Sequence, residues 1–164
     1  MAKEGTAHPR QMVCLYLVVY MTIATYDVLT YCFDSREHIS IYTLHGEPLV
    51  FQHFDGPFYP TLKLLHKYPF VLPKVGIDRG AIRFLLAGAH MMCPGMTSKG
   101  GYLPAEDVAL PAETPVAIFA EGKEHAVGMG ITKMGTEEMK KLNKGVGVET
   151  VHYLGDDLWA IQKL

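Results

Sequence analysis

Six of the fifteen basic residues in this chain fall between positions 61 and 103: Lys63, Lys67, Lys74, Arg79, Arg83 and Lys99. Asp78 is the one acid among them, so the segment carries +5. Its flanks are acidic, −3 over residues 1–60 and −4 over residues 104–164, and the whole chain sums to −2. A cationic island between acidic flanks is what a docking site for phosphates presents, because Lys and Arg neutralise backbone phosphates whatever the base sequence. Six bases in that span also describe a solvated face, and charge alone does not separate the two readings.

The other reactive side chains do not assemble into a catalytic pattern. Cys93 precedes Pro94-Gly95 with no base beside it and nothing to lower its thiol pKa, so it reads as a packing residue. Asp156 and Asp157 are adjacent after Gly155, which is turn chemistry rather than an acid–base pair. Cys14, Cys32 and Cys93 lack C-x-x-C spacing, and the eight histidines are scattered singly. That pattern indicates no zinc or other metal site, and no cofactor. Unpatterned thiols suit a reducing compartment, hence the cytoplasm.

The elements that position the island follow from local signals. Asp78 is a good N-cap for a helix over Arg79–Ala87, closed by Gly88. On that helix Ile82, Leu85 and Leu86 form a core stripe, and Arg79 and Arg83 share another face at i, i+4. Ala89 to Gly95 reads as a short strand and a tight turn. Upstream, Ile39–Leu44 and Leu49–Phe54 form a hairpin around Gly46, and Asp55-Gly56-Pro57 is a second turn. Pro60 starts a short helix through Tyr68 with Leu62, Leu65 and Tyr68 inward, stopped by Pro69. Phe70–Ile77, with Pro73, reads as a linker.

Downstream, Val116–Ala120 and Ala126–Lys133 form a hairpin around Glu121-Gly122-Lys123. Gly128 and Gly130 lie on one face of its return strand, where missing side chains imply close backbone approach or a barrel corner. Thr136 caps a helix with Glu137 and Glu138 first and Lys140, Lys141 and Lys144 at its end, closed by Gly145. Those lysines suit either helix-end capping or an extension of the basic surface. Val146–Tyr153 and Leu158–Ile161 complete the set as strands. Many short strands with few helices indicate a small barrel-like, mostly β fold.

At 164 residues there is room for one domain or two very small ones. Hydrophobic residues at 49%, charged residues at 20% and a mean hydropathy of +0.11 exclude a disordered or acidic solvating chain. A pI near 6.4 argues against coating nucleic acid or membranes by bulk charge. Met12 to Tyr26 is uncharged, and after Asp27 the apolar run continues through Phe33. Three readings remain open for it: a buried strand pair, a signal peptide or anchor, and a start foreign to the fold. Asp27 interrupts before the roughly 20 residues of a membrane span are reached.

Several blocks carry a resemblance. D-R-G-A-I-R-F-L-L-A-G-A from Asp78, then M-C-P-G, then A-E-G-K-E-H-A resemble a PUA domain, the RNA-binding pseudo-barrel of pseudouridine synthases and archaeosine transglycosylases. G-P-F-Y-P-T-L-K-L-L-H-K-Y-P-F at 56–70, A-G-A-H-M-M-C-P-G-M-T-S at 87–98, N-K-G-V-G-V-E at 143–149 and H-Y-L-G-D-D-L-W at 152–159 are similar to the malignant T-cell-amplified sequence family. The likeness spans roughly residues 36–164; residues 1–35 do not resemble the polar amino-terminal segment of that family.

The resemblance implies an α+β, mostly β chain: a PUA-type pseudo-barrel over 73–164, preceded by a small, incomplete α/β amino-terminal domain over 1–72, in which 1–35 is an atypical apolar segment. It implies a noncatalytic, RNA-binding translation factor acting on the small (40S) ribosomal subunit in reinitiation and recycling. Its partners would be tRNA, small-subunit rRNA and a homologue of density-regulated protein, with no membrane. In the family pattern the helix and the loop after it face RNA. Arg79, Arg83 and Lys99 would then contact phosphates, while Gly88 and Ala89 let the RNA backbone come close. His90 would stack or hydrogen-bond, or serve as a structural histidine; Gly95 would serve the turn first and RNA approach second. Two alternatives of other classes remain. An accessory module in RNA modification is disfavoured by the block at 56–70, and a secreted or membrane-attached binding protein rests only on residues 12–33.

Overall fold

The computed structural model describes residues 28–34, 37–54 and 56–162. Four strands, β1 (Val28–Asp34), β2 (Glu37–Leu44), β3 (Glu47–His53) and β4 (Phe58–Pro60), form an antiparallel meander in the order β1-β2-β3-β4. The β2–β3 turn is made by His45 (φ 52°) and Gly46 (φ 82°), two left-handed residues whose twist matches that of the strands they join. The apolar run thus ends as strand β1; its part before Val28 lies outside the described residues.

Thr61 caps α1 (Leu62–Lys67), its hydroxyl donating to the Pro48 carbonyl (2.9 Å) and accepting from the Leu64 amide. Pro60 therefore closes β4 rather than opening the helix. Leu62 and Leu65 are buried as the spacing predicts, and so is Leu64. Tyr68 does not point inward; it is 48% exposed at the C-cap, because the following Pro69 drives its backbone out of the helix.

The segment expected to be a linker is core. Val71 and Leu72 are buried, and β5 (Lys74–Ile77) pairs in parallel with β7 (Pro115–Ala120), with Lys74 opposite Ala117 and Ile77 opposite Ala120. A parallel partner some forty residues away leaves no local signature, whereas Pro69 and Pro73 leave strong ones.

The second sheet runs β5-β7-β8-β9-β6, with β8 at Ala126–Thr132, β9 at Val146–Tyr153 and β6 at Met91–Met92. Bulges in the β7–β8, β8–β9 and β9–β6 ladders curl it. One cluster fills the curl: Val75, Ile77, Leu85, Met91, Cys93, Met96, Val116, Ile118, Met139 and Val148. A second cluster joins both sheets, with Ile41 and Phe51 meeting Leu62, Leu65, Val71, Leu72, Phe119 and Met129. The two parts therefore pack on a common apolar seam.

The glycine pair of β8 marks close approach. A Cβ on Gly128 would lie 3.2 Å from Leu85 Cδ1, and one on Gly130 would lie 2.4 Å from the Glu149 carbonyl oxygen. Backbone cannot retreat cheaply at Gly130. Gly130→Ala is expected to lower stability by about 2–3 kcal/mol in denaturant titration; an unchanged midpoint would contradict the packing.

Three terminal features differ from expectation. Thr136 is the first residue of α4 (Thr136–Leu142), not its cap: Gly135 holds the cap position, and the Thr136 hydroxyl accepts from the Leu110 amide (3.0 Å) instead. The helix ends at Asn143, which takes the left-handed conformation (φ 45°) before Gly145 is reached. Leu158–Ile161 is not a strand. Asp157–Ala160 is a helical turn, α5, because the Asp156 carboxylate accepts from the Trp159 amide at 2.8 Å and starts a helix over strand-forming side chains. Among the described residues, no helix is long and apolar enough to cross a membrane.

Candidate nucleic-acid interface

β5 delivers the chain to Asp78 at the rim of the curled sheet. Asp78 Oδ1 accepts from the Ala81 amide (2.8 Å), Oδ2 accepts from the Ser98 hydroxyl, and the Asp78 amide donates to the Gly95 carbonyl (2.9 Å). The Ser98 bond, more than any other contact, holds the Asp78 carboxyl below its usual pKa, so it remains an anion locked into the turn.

The helix is much shorter than expected. Residues 79–81 form a turn, α2 covers only Ile82–Leu85, and Ala81 occupies the N-cap position without a side-chain bond. Asp78 caps the turn, not the helix. The chain leaves α2 through Gly88 (φ 82°), with the Gly88 amide donating to Leu85 O and the Ala89 amide to Phe84 O, as in a Schellman motif. Leu85 is wholly buried and Ile82 packs beside it, but Leu86 is 44% exposed because the helix has ended before it can face the core.

Three of the six bases in the island contact residues far from the Asp78 turn. Lys63 donates to the Ile161 carbonyl, Lys67 pairs with Glu47, and the Lys74 ammonium sits 4.9 Å from the centre of the Phe119 ring. The other three, Arg79, Arg83 and Lys99, are exposed and have no ion pair among the described residues. Asp78 is bound as above, and Glu121, from the β7–β8 loop, accepts from the Arg79 amide (3.2 Å) rather than from its guanidinium. Arg79, Arg83 and Lys99 lie on the Asp78–Leu85 turn and on the loop after α3 (Cys93–Thr97), which the Asp78–Ser98 bond ties together.

Gly88, Ala89 and His90 follow α2 as an exposed ribbon pinned to β9. The Thr150 amide donates to His90 Nδ1 (3.3 Å), and its hydroxyl donates to the Ala89 carbonyl (2.9 Å). Because Nδ1 accepts, the ring proton lies on Nε2, which is a donor with no partner among the described residues. His90 therefore has a structural bond at one nitrogen and an available donor at the other. Gly95 lies within α3, not in a turn, and it packs: a Cβ there would lie 3.3 Å from Ala81 Cβ. Pro94, at the start of α3, makes the helical turn that the Cys93-Pro94-Gly95 sequence disguises.

Sequence reasoning missed three residues at this rim. Phe84 is 52% exposed, with the Arg83 guanidinium carbon 4.7 Å from its ring centre. Its place off the Ile82/Leu85 stripe is the signal that could have found it. Glu121 and Thr150, which hold Arg79 and His90, come from the β7–β8 loop and from β9, far along the chain, and leave no local sign.

Elsewhere, Cys93 is fully buried and burial pushes its thiol pKa up, away from reactivity. Asp156 is engaged by the Tyr153 and Trp159 amides and by His152 Nδ1 (2.7 Å). Lys140 bonds Glu137 and the Pro104 carbonyl. No group of three or more His, Cys, Asp or Glu among the described residues is placed to hold a metal ion.

The PUA domain family matches residues 73–154 and the pre-PUA-like domain family residues 21–69, the latter reaching back into the apolar run. The chain is 56% identical over 125 residues to malignant T-cell-amplified sequence 1-A of Xenopus laevis, covering 76% of this chain and 66% of that protein. It is 52% identical over 124 residues to translation machinery-associated protein 20 of Schizosaccharomyces pombe, covering 76% and 67%. It thus spans about two thirds of the length of these curated relatives. Among solved structures, a conserved PUA domain protein from Thermoplasma acidophilum superposes with a TM-score of 0.64 at 20% identity, covering 94% of this chain and 95% of that one. A PUA domain from Aeropyrum pernix K1 gives 0.60 at 26%, covering 88% and 84%. The curled, mostly β fold expected from the sequence is the fold of these PUA proteins.

Proposed function

Because the chain belongs to the malignant T-cell-amplified sequence family of PUA-domain proteins, we propose that it is a noncatalytic RNA-binding factor of the translation machinery. It works in the cytoplasm on the small ribosomal subunit, in reinitiation and recycling, by promoting recruitment or release of tRNA. Its partner is a homologue of density-regulated protein. We assign residues 73–164 to the RNA-binding domain and residues 1–72 to a partial amino-terminal domain.

The observation that carries this reading is the distribution of free charge. Lys67 is paired with Glu47, and Lys63 and Lys74 are held against Ile161 and Phe119 away from the turn, while Arg79, Arg83 and Lys99 stand exposed and without an ion pair among the described residues on one braced turn-and-loop unit. Guanidinium groups with no carboxylate partner are suited to phosphate oxygens, which fix the position of an RNA without reading its sequence. Gly88 and Ala89, small and exposed, continue the same rim towards His90.

The full chain is expected to bind tRNA and to co-sediment with purified small ribosomal subunits. It is also expected to form a complex with the density-regulated-protein homologue of its source. Failure to bind either RNA ligand would contradict the reading.

A further inference from the structure

Phe84 has no structural reason to be where it is. It occupies the middle of a four-residue helix whose apolar contact is made by Leu85, wholly buried, with Ile82 beside it. An aromatic ring left 52% exposed loses the burial that normally holds such a side chain in a fold. Its backbone is nevertheless rigid: the Phe84 carbonyl accepts from the Ala87 and Ala89 amides, at 3.1 and 3.0 Å. Its ring is also oriented, by the Arg83 guanidinium carbon 4.7 Å from its centre. A fixed aromatic plate carrying a guanidinium with no ion pair among the described residues differs from a merely solvated face.

We propose that Phe84 is a stacking platform for one unpaired nucleobase of the bound RNA, while Arg79, Arg83 and Lys99 hold the phosphates on either side. The inference rests on the RNA-binding reading above and adds the class of RNA engaged. A base inside a duplex shows a protein only its edges, because its faces are covered by the neighbouring pairs. The exposed ring of Phe84 therefore matches an unstacked nucleotide at an end, loop or bulge. Charge complementarity selects nucleic acid over an apolar protein segment, since the ring's immediate neighbour is a guanidinium with no carboxylate partner among the described residues. Stacking reads no base edge, so the preference is for a free base of any kind.

The test uses the full chain and two RNA probes, a short hairpin with a single-stranded 3′ extension carrying 2-aminopurine and the same hairpin blunt-ended. Wild type is expected to bind the extended probe more tightly and to quench its fluorescence. Phe84→Leu, which keeps an apolar side chain but no ring, should weaken the extended probe about 5- to 100-fold and abolish the quenching. It should leave blunt-hairpin affinity unchanged. Equal binding of the extended probe by Phe84→Leu and wild type, with quenching retained, would overturn the stacking role while leaving the RNA-binding reading intact. Equal weakening of both probes would assign Phe84 to the fold and also overturn it. If wild type binds neither probe, the RNA-binding reading falls and this inference with it. If Phe84→Leu instead loses only the protein partner, the ring belongs to a protein interface and the proposal is wrong.

Discussion

Asp156→Ala is expected to destabilise the chain by about 3 kcal/mol, more than any single change among Arg79, Arg83 and Lys99. One carboxylate holds three donors at the junction of β9 and α5: the Tyr153 amide (3.0 Å), the Trp159 amide (2.8 Å) and His152 Nδ1 (2.7 Å). His152 is 1% exposed and lies edge-on to Phe51 of β3, with ring centres 5.9 Å apart, so the contact sits at the seam between the two sheets. Removing the acceptor leaves buried donors unsatisfied, at about 1–3 kcal/mol for the worst of them, and breaks a largely buried pair.

The same carboxylate gives a pH dependence of known sign. Burial raises the Asp156 pKa, but the bonds from His152 and the two amides outweigh it, and the group ends below its usual value. A folded pKa below the unfolded one, which is about 3.9, makes the stabilisation complete above about pH 5. It is lost as pH falls through the folded value. Denaturant midpoints of wild type should therefore drop on acidification below about pH 5, and those of Asp156→Asn should drop less. Parallel curves would show that Asp156 does not carry the effect.

The second large effect concerns RNA. Arg79→Ala combined with Arg83→Ala should lower tRNA affinity about 10- to 100-fold, from the loss of two charge-assisted contacts of about 1 kcal/mol or somewhat more each. The fold should hardly notice. Neither guanidinium has an ion pair among the described residues, and the contact of Arg83 with Phe84 is exposed, worth about 0.5–1 kcal/mol. The turn itself is braced by Asp78, Ser98, Gly95 and Glu121 through backbone and carboxylate, all of which the double variant keeps. An affinity loss matched by a collapse in thermal stability would mean that the arginines hold the fold instead.

What the sequence disclosed depended on whether the deciding interaction was local. The hairpins at His45-Gly46 and Glu121-Gly122 were readable because a left-handed residue and two alternating runs suffice to specify them. The glycine pair of β8 was readable for the same reason, since a missing side chain implies a neighbour even when the neighbour is unnamed. β5 was not, because its partner β7 lies far along the chain and two prolines suggested a linker. Residues 157–160 were misread because Leu158, Trp159 and Ile161 favour strands, and the capping bond from Asp156 decides otherwise.

The candidate interface divides in the same way. The cationic island was visible as composition, but its six bases are equivalent on paper. Only tertiary partners distinguish Lys63, Lys67 and Lys74, tied to Ile161, Glu47 and Phe119, from Arg79, Arg83 and Lys99. Gly95 looked like a turn residue and is a packing residue in a helix, because Pro94 starts α3 rather than a bend. Phe84 was not singled out and lies off the Ile82/Leu85 stripe at the surface, while the early end of α2 leaves Leu86 exposed as well.

The central claim, that the free arginines of the Asp78–Leu85 unit neutralise RNA phosphates, is tested most directly by the salt dependence of binding. Plots of log affinity against log salt concentration for tRNA, with wild type and the Arg79→Ala, Arg83→Ala variant, give the number of phosphates neutralised by each. Removing two contacts should make the slope shallower by about 1.4–1.8, at 0.7–0.9 per phosphate. Superimposable slopes would contradict the assignment.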